Sequence, residues 1–209
     1  MILLVGANGR IGQRYQRIFT NLGLEFTPYD IKTDAELSDY FINRRITRIL
    51  IATPTETHVD VIRKYMKYSV PILCEKPICK DIKQIKDLFS DLKMIPFNMV
   101  YQYQYALEGA IQKDHERSWY DYYDHGQDTL PWDCIQIIGL AKSYVRLSDK
   151  QDVWDCSING SKLNLRMIQL GYRQMITHWL SSGYGDKSKL LEIHEKTIEF
   201  EANPKIWQE

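Results

Sequence analysis

Short apolar runs alternate with amphipathic stretches through the first hundred residues, and this alternation narrows the fold more than any single motif does. The apolar runs are Ile2 to Val5, Leu24 to Tyr29, Arg48 to Ala52, Val70 to Cys74 and Phe97 to Tyr101. Between them lie stretches of helical period at about Ile11 to Leu22, Ala35 to Ile42, Thr55 to Tyr68 and Asp81 to Leu92. Strands joined by connections of helix length pair in parallel through right-handed crossovers. A run without polar interruption, such as Ile49-Leu50-Ile51-Ala52, suits a strand covered on both faces. Five such units predict a three-layered, nucleotide-binding half.

The chain has 209 residues, enough for one sizeable domain or two small ones without disulfide staples. With 44% hydrophobic and 26% charged residues it matches ordinary soluble globular proteins. Its 27 basic residues balance 27 acidic ones, so no global positive field holds a polyanion, and nucleic-acid binding is not expected. No apolar run reaches the roughly 18 residues needed to cross a bilayer. Met1-Ile2-Leu3-Leu4-Val5 has no basic segment before it and reads as a first strand, not a signal peptide. Cys74, Cys79, Cys134 and Cys156 are scattered without paired metal-type spacing, which predicts reduced thiols, no metal and a cytoplasmic setting.

After Tyr101 the sequence turns rich in Tyr and Trp and loses its clean periods. The expected division is a Rossmann dinucleotide-binding domain at residues 1–102 and a small α+β domain at 103–209, with no Gly/Ser/Pro linker between them. In the second part we expect helices near Tyr105 to Lys113, Pro131 to Leu140 and Met167 to Ser181. Short strands are expected around Ser143 to Leu147, Trp154 to Ile158 and Lys162 to Leu165, in a reduced sheet of about three strands. Asn159-Gly160 is a hairpin signal, since a two-residue type I′ turn needs positive φ at both central positions. Leu190 to Phe200 reads either as a docked helix or as a loose tail.

Gly6-Ala7-Asn8-Gly9-Arg10-Ile11-Gly12 directly follows the first run and opens a helical stretch. Glycines in that setting let backbone amides approach a pyrophosphate at a helix N-terminus. The spacing is Gly-x-x-Gly-x-x-Gly, with Asn8 where the commoner Gly-x-Gly-x-x-Gly has its second glycine. Asp30 follows Gly12 by 18 positions at the end of the second strand, where a carboxylate can accept both hydroxyls of an adenosine ribose. The same carboxylate would repel a 2′-phosphate, which favours NAD; nearby Lys32 keeps NADP as the alternative.

Ala52-Thr53-Pro54-Thr55-Glu56-Thr57-His58 closes the third strand and Cys74-Glu75-Lys76-Pro77 closes the fourth. An Ala-Thr-Pro-x-x-x-His segment followed by Glu-Lys-Pro, behind an N-terminal dinucleotide loop, resembles the Gfo/Idh/MocA family of oxidoreductases, closely over the first hundred residues and loosely beyond. The resemblance implies a Rossmann domain followed by an α/β domain with an open sheet. It also implies reversible hydride transfer between a nicotinamide and a hydroxyl carbon of a sugar, cyclitol or nucleotide sugar. Both segments lie at carboxyl ends of parallel strands, where open sheets bind ligands. Thr53 and Pro54 are placed to pack on the cofactor, and His58 and Glu75 join them as cofactor-side candidates. An ammonium at this edge can polarise a substrate oxygen, and the resemblance assigns that role to Lys76.

The family's remaining catalytic groups lie in an Asp-x-Gly-x-His motif, the His as acid/base and the Asp supporting it. Here the segment is Asp124-His125-Gly126-Gln127-Asp128. Aligning the glycine puts Asp124 on the family's Asp and Asp128 in the place of the His. A carboxylate serves as a base, but its reference pKa of about 4 makes it a poor acid at neutral pH. His125 has a pKa suited to work near pH 7. Three alternatives stay open: Asp128 as base, His125 as base, or no hydride chemistry. Gln104 stands where many relatives carry a basic residue. Trp119, Tyr120, Tyr122, Tyr123 and Trp132 beside this motif suit a sugar-stacking wall or core packing equally. His115, His178 and His194 read as structural or surface residues.

The reading that follows is a small NAD(P)-dependent oxidoreductase acting on a sugar-like small molecule, with a homodimer through the reduced sheet as one option for assembly. A catalytically impaired dinucleotide-binding regulatory or scaffold protein of the same fold is the alternative. A third option keeps the enzyme but uses transient oxidation to drive elimination or hydrolysis.

Overall fold

The computed structural model describes residues 1–30, 45–101, 105, 118–123, 143–148, 156–158, 161–162, 165–182 and 185–202. Its first strands and helices run β1 (Ile2–Val5), α1 (Arg10–Asn21), β2 (Phe26–Tyr29) and β3 (Arg48–Ile51). A 3₁₀ turn (Thr55–Thr57) then leads into α2 (His58–Met66), followed by β4 (Ile72–Cys74), α3 (Ile82–Leu92) and β5 (Phe97–Met99). The expected helix at 35–42 lies outside the described residues, as do Lys32 and Gln104.

The five strands form one parallel sheet in the order β2-β1-β3-β4-β5. Every residue of β1 and β4 is buried, as are the last three of β3, which is the pattern of strands covered on both faces. At the sheet edge, β2 pairs only with β1 and carries Pro28, which has no N–H to give to a further strand. Helix α1 buries Gly12, Tyr15 and Phe19 along one face. Phe19 packs at tilted angles on Tyr15 and Phe26, with ring centroids 6.0 and 5.3 Å apart, contacts worth about 0.5–1.5 kcal/mol beyond burial. Helix α3 begins at Asp81, whose carboxylate accepts the Lys83 N–H at 2.8 Å and the Gln84 N–H at 3.4 Å.

Two compact units are distinguished: residues 1–100 with 178–187, and residues 101–177 with 188–209. The late segment is fastened to the first unit by named bonds. The Arg48 guanidinium donates to Leu180 O at 2.6 Å and lies 5.7 Å over the buried Trp179 ring. The Gly185 N–H donates to Phe97 O, and the Lys187 ammonium donates to Lys93 O at 2.8 Å, just past the end of α3. A parallel α/β unit built mostly from residues 1–100 is thus completed by ten residues from far down the chain.

The later elements are β6 (Ser118–Tyr123), β7 (Ser143–Ser148), β8 (Cys156–Ile158), β9 (Ser161–Lys162), α4 (Leu165–Ser182) and α5 (Lys187–Ala202). Four strands make a mixed sheet in the order β7-β6-β8-β9, with β6 parallel to β7 and antiparallel to β8. The expectation of about three strands is corrected to four, because Ser118 to Tyr123, read only as an aromatic cluster, is itself a strand. Tyr and Trp are strand-favouring residues, so the signal was compositional. Ile158 pairs antiparallel with Ser161, and Asn159 and Gly160 of the hairpin signal lie outside the described residues. Leu190 to Phe200 falls within a helix whose Leu190, Ile193, His194 and Thr197 are buried, so it is the docked helix and not the tail. Among the described residues no helix is long and apolar enough to cross a membrane.

Candidate functional site

The candidate residues of the first unit collect at the carboxyl ends of β1, β3 and β4. From β1 the chain leaves to pair β2 on one side, while β3 lies on the other. The crevice between β1 and β3 is therefore the topological switch point, where open parallel sheets take their ligands.

The loop after β1 is made almost wholly by backbone. Gly6 has φ +82°, and a Cβ there would stand 2.7 Å from Ala52 O, so the turn can pass β3 only as glycine. The N–H groups of Gly6 and Ala7 both donate to Tyr29 O, at 2.9 and 3.1 Å, hanging the loop on the end of β2. The carbonyls of Ala7 and Asn8 accept the Gln16 and Gln13 side-chain amides of α1, at 2.8 and 3.1 Å. Gly12 packs so tightly that a Cβ would collide with Gly6 O and sit 2.7 Å from Ala7 Cα.

Gly9 differs from its two neighbours in the motif. Among the described residues, a Cβ at Gly9 would meet only Gly6 O at 3.5 Å, an ordinary contact, so their packing places no demand for glycine there. Gly9 is the N-cap of α1, no side chain caps it, and the first turn holds no acid. The first-turn amides of a helix so finished suit an anion from outside. Asp30, just past β2, accepts the Asn8 N–H at 3.3 Å, which brings its carboxylate to the same rim. Room for a side chain at Gly9, an uncapped helix start and a carboxylate beside them fit a dinucleotide laid across the crevice. Asn8, Arg10 and Ile11 complete the rim, with Asn8 and Arg10 exposed.

The loop after β4 is held by buried side chains instead. Glu75 is only 7% exposed; its Oε1 accepts the Tyr15 hydroxyl at 2.6 Å and its Oε2 accepts the Lys76 N–H at 3.2 Å. The Glu75 N–H donates to Ile51 O, continuing the ladder from β3. Lys76 is half-buried and is joined to Pro77 by a cis peptide bond. His58, the first residue of α2 and 1% exposed, places Nδ1 2.8 Å from Pro77 O and Nε2 2.8 Å from Thr53 O. The Thr57 hydroxyl donates to Pro54 O at 2.7 Å and so accepts from the Thr53 hydroxyl at 2.9 Å, because a carbonyl only accepts. Cys74 is the buried strand residue expected, and both Cys74 and Cys79 are free. Burial pushes both thiols up, most strongly at Cys74, away from thiolate chemistry.

The fold thus brings together Gly6, Asn8, Gly9, Arg10, Ile11, Gly12, Asp30, Thr53, Pro54, His58, Glu75 and Lys76 at one edge of the sheet. Asp124, His125, Asp128 and Trp132 lie outside the described residues, as do His115 and Cys134. Trp119, Tyr120, Tyr122 and Tyr123 lie on β6. His178 is exposed on α4, whereas His194 is buried. Sequence reasoning passed over Tyr15. Its signal was a hydroxyl on the apolar face shared with Gly12 and Phe19, since a buried Tyr O–H needs a partner.

Residues 1–94 match a family model described as the oxidoreductase family, NAD-binding Rossmann fold (Gfo/Idh/MocA). Inositol 2-dehydrogenase of Arthrobacter sp. (strain FB24) is 30% identical over 89 residues, 39% of this chain and 26% of that enzyme, so the match spans about a quarter of the relative's length. Among solved structures, a Gfo/Idh/MocA family oxidoreductase from Vibrio cholerae superposes with a TM-score of 0.75 at 10% identity, covering 98% of each chain. A myo-inositol dehydrogenase from Corynebacterium glutamicum gives 0.70 at 14% identity, over 94% of this chain and 93% of the other. The WlbA (WbpB) dehydrogenase from Thermus thermophilus, in complex with NAD and UDP-GlcNAcA, gives 0.67 at 13% identity, over 96% and 94%. At such identities the structural likenesses establish the fold. With the glycine loop, Asp30 and the Glu75-Lys76-Pro77 segment in their places on that fold, residues 1–94 are similar to the NAD-binding Rossmann fold of the Gfo/Idh/MocA oxidoreductase family.

Proposed function

We propose that this protein is an NAD-dependent oxidoreductase acting on a CH–OH or ketone carbon of a sugar, cyclitol or nucleotide sugar. The observation that carries the reading is one sheet edge with an uncapped helix start, a Gly9 that packing does not require and Asp30 on one side of the switch point, and the Lys76 loop close by. In this reading Gly6 and Gly12 shape the loop, and Gly9, Arg10 and Ile11 present the pyrophosphate site. Asn8 and Asp30 take the adenosine ribose, and Thr53 and Pro54 line the crevice with His58 and Glu75 behind them. When bound, a nicotinamide supplies the hydride donor or acceptor. Lys76 donates a hydrogen bond to the reacting oxygen and stabilises the charge that develops there. The proton is moved by Asp128 or His125, with Asp124 in support. The domain division is taken at 102/103.

A carboxylate at position 30 favours NAD over NADP by repelling a 2′-phosphate. The inositol dehydrogenase relatives and the UDP-GlcNAcA complex of the Thermus enzyme support polyols and nucleotide sugars as the substrate class.

The test has two stages. Titration of the wild-type protein with NADH and NADPH, followed by nicotinamide fluorescence, should show tighter NADH binding, weakened about tenfold or more in Asp30→Ala. A panel of cyclitols, sugars and UDP-sugars with NAD should then yield turnover that Lys76→Ala lowers by roughly 10²-fold or more at unchanged cofactor affinity. Failure to bind either cofactor removes the reading; normal turnover in Lys76→Ala removes the mechanism.

A further inference from the structure

We infer that Tyr15 and His58 are positioning residues for Lys76, fastening the residues on either side of it to α1 and to the start of α2. The inference rests on the role given to Lys76 above and deepens it.

On the N-terminal side, Glu75 is gripped by Tyr15 at 2.6 Å, and the same carboxylate takes the Lys76 N–H at 3.2 Å. Tyr15 lies on α1 three residues after Gly12, on the helix that opens from the dinucleotide loop. On the C-terminal side, His58 holds Pro77 O at 2.8 Å. Its other ring nitrogen stands 2.8 Å from Thr53 O, in the loop that follows β3; since carbonyls only accept, the ring bonds both when each nitrogen carries a proton and one of them when a single nitrogen does. Lys76 therefore sits between two anchors, one tied to α1 and the other beside the loop after β3.

Packing alone does not ask for these groups. Tyr15 is fully buried and His58 nearly so, and an apolar side chain of like size would fill either space without burying a polar atom. A hydroxyl and an imidazole are tolerated there because each finds partners, and in a low-dielectric interior such bonds hold their geometry tightly. Both ring nitrogens of His58 face backbone carbonyls, so its reach ends within the protein. What the two residues have in common is the three-residue segment whose middle member is Lys76.

The test uses the full chain as wild type, Tyr15→Phe, His58→Gln and His58→Ala. Hydrogen exchange is read at the Lys76 backbone amide. Acetylation by a water-soluble acylating reagent is read by mass spectrometry at the Lys76 amine relative to the exposed Lys83 of the same molecule. Tyr15→Phe should speed Lys76 amide exchange about tenfold and change the Lys76-to-Lys83 acetylation ratio roughly threefold, while NADH affinity stays within about twofold. His58→Gln, which restores an N–H donor, should fall between wild type and His58→Ala on both readouts. A folded Tyr15→Phe with unchanged exchange and acetylation overturns the inference. If that variant does not fold, equal behaviour of His58→Gln and His58→Ala overturns it. Both readouts are taken on cofactor-free protein, so they decide the positioning roles even if NADH titration removes the oxidoreductase reading.

Discussion

The loop after β1 and the loop after β4 present groups at the same edge of one sheet, yet they are built in opposite ways. The first is shaped by missing side chains: Gly6 passes Ala52 O, Gly12 lets α1 press on the turn, and two backbone bonds to Tyr29 O, with the exposed or half-buried Gln13, Gln16 and Asp30, hold its backbone. The second is shaped by side chains that are present and buried, Tyr15 on Glu75 and His58 between Thr53 and Pro77. Backbone amides suit a ligand of fixed shape such as a pyrophosphate, whereas a single ammonium must be aimed, and aiming needs long side chains with directed bonds.

The largest effect should come from breaking the first construction. Gly12→Ala forces a collision with a backbone carbonyl that cannot rotate away, and should cost roughly 3–5 kcal/mol in urea unfolding, with NADH binding lost alongside. A loss below about 1 kcal/mol would mean that the loop yields, and that its shape is not imposed by the close approach.

Acid stability should be set by neither loop. Burial holds the His194 ring on α5 well below the usual imidazole value, at about 4, against a raising contact with Leu190 O. The unfolded chain takes up this proton near pH 6.5 and the fold does not, so stability is undiminished above about 6.5 and falls as pH drops toward 4. The full swing is about 3 kcal/mol, and His194→Gln should flatten it while Tyr15→Phe leaves it in place. Unfolding curves collected from pH 7 to 4.5 decide this.

Breaking the second construction should cost less. Tyr15→Phe leaves a buried carboxylate oxygen without its short partner, a loss of about 1–3 kcal/mol in the same urea assay. A neutral result would show that the Tyr15–Glu75 bond is not needed to hold the loop after β4.

The same contrast explains what could be read in advance. The parallel sheet was legible because Leu3-Leu4-Val5 and Ile49-Leu50-Ile51 are buried on both faces and therefore written as unbroken apolar runs. The glycine loop and Asp30 were legible because they act within one β-α-β unit. Spacing could not separate Gly9 from Gly12, since a Cβ at the first would make an ordinary contact with Gly6 O and one at the second would collide with it, and only the packed loop shows which. The Tyr15–Glu75 bond joins residues 60 positions apart, so no local pattern announces it. Likewise, nothing near residue 180 says that its carbonyl will meet Arg48. His58 and Glu75 were singled out from their motifs, but their partners, Pro77 O, Thr53 O and Tyr15, emerged only from the fold. In the later part, Ser118 to Tyr123 was read for its aromatic chemistry when its composition was equally that of a strand.

The smallest effect on stability should accompany a large effect on binding, and it tests the central claim most directly. Gly9 is the one glycine of the loop that packing among the described residues does not require. NADH titration of Gly9→Ser, which keeps a favoured N-cap residue, beside the wild type, with thermal unfolding of both, should show a Tm unchanged within about 2 °C and an affinity reduced tenfold or more, about 1.4 kcal/mol. An unchanged affinity would contradict the account, because the space above the start of α1 would then not be where the dinucleotide lies.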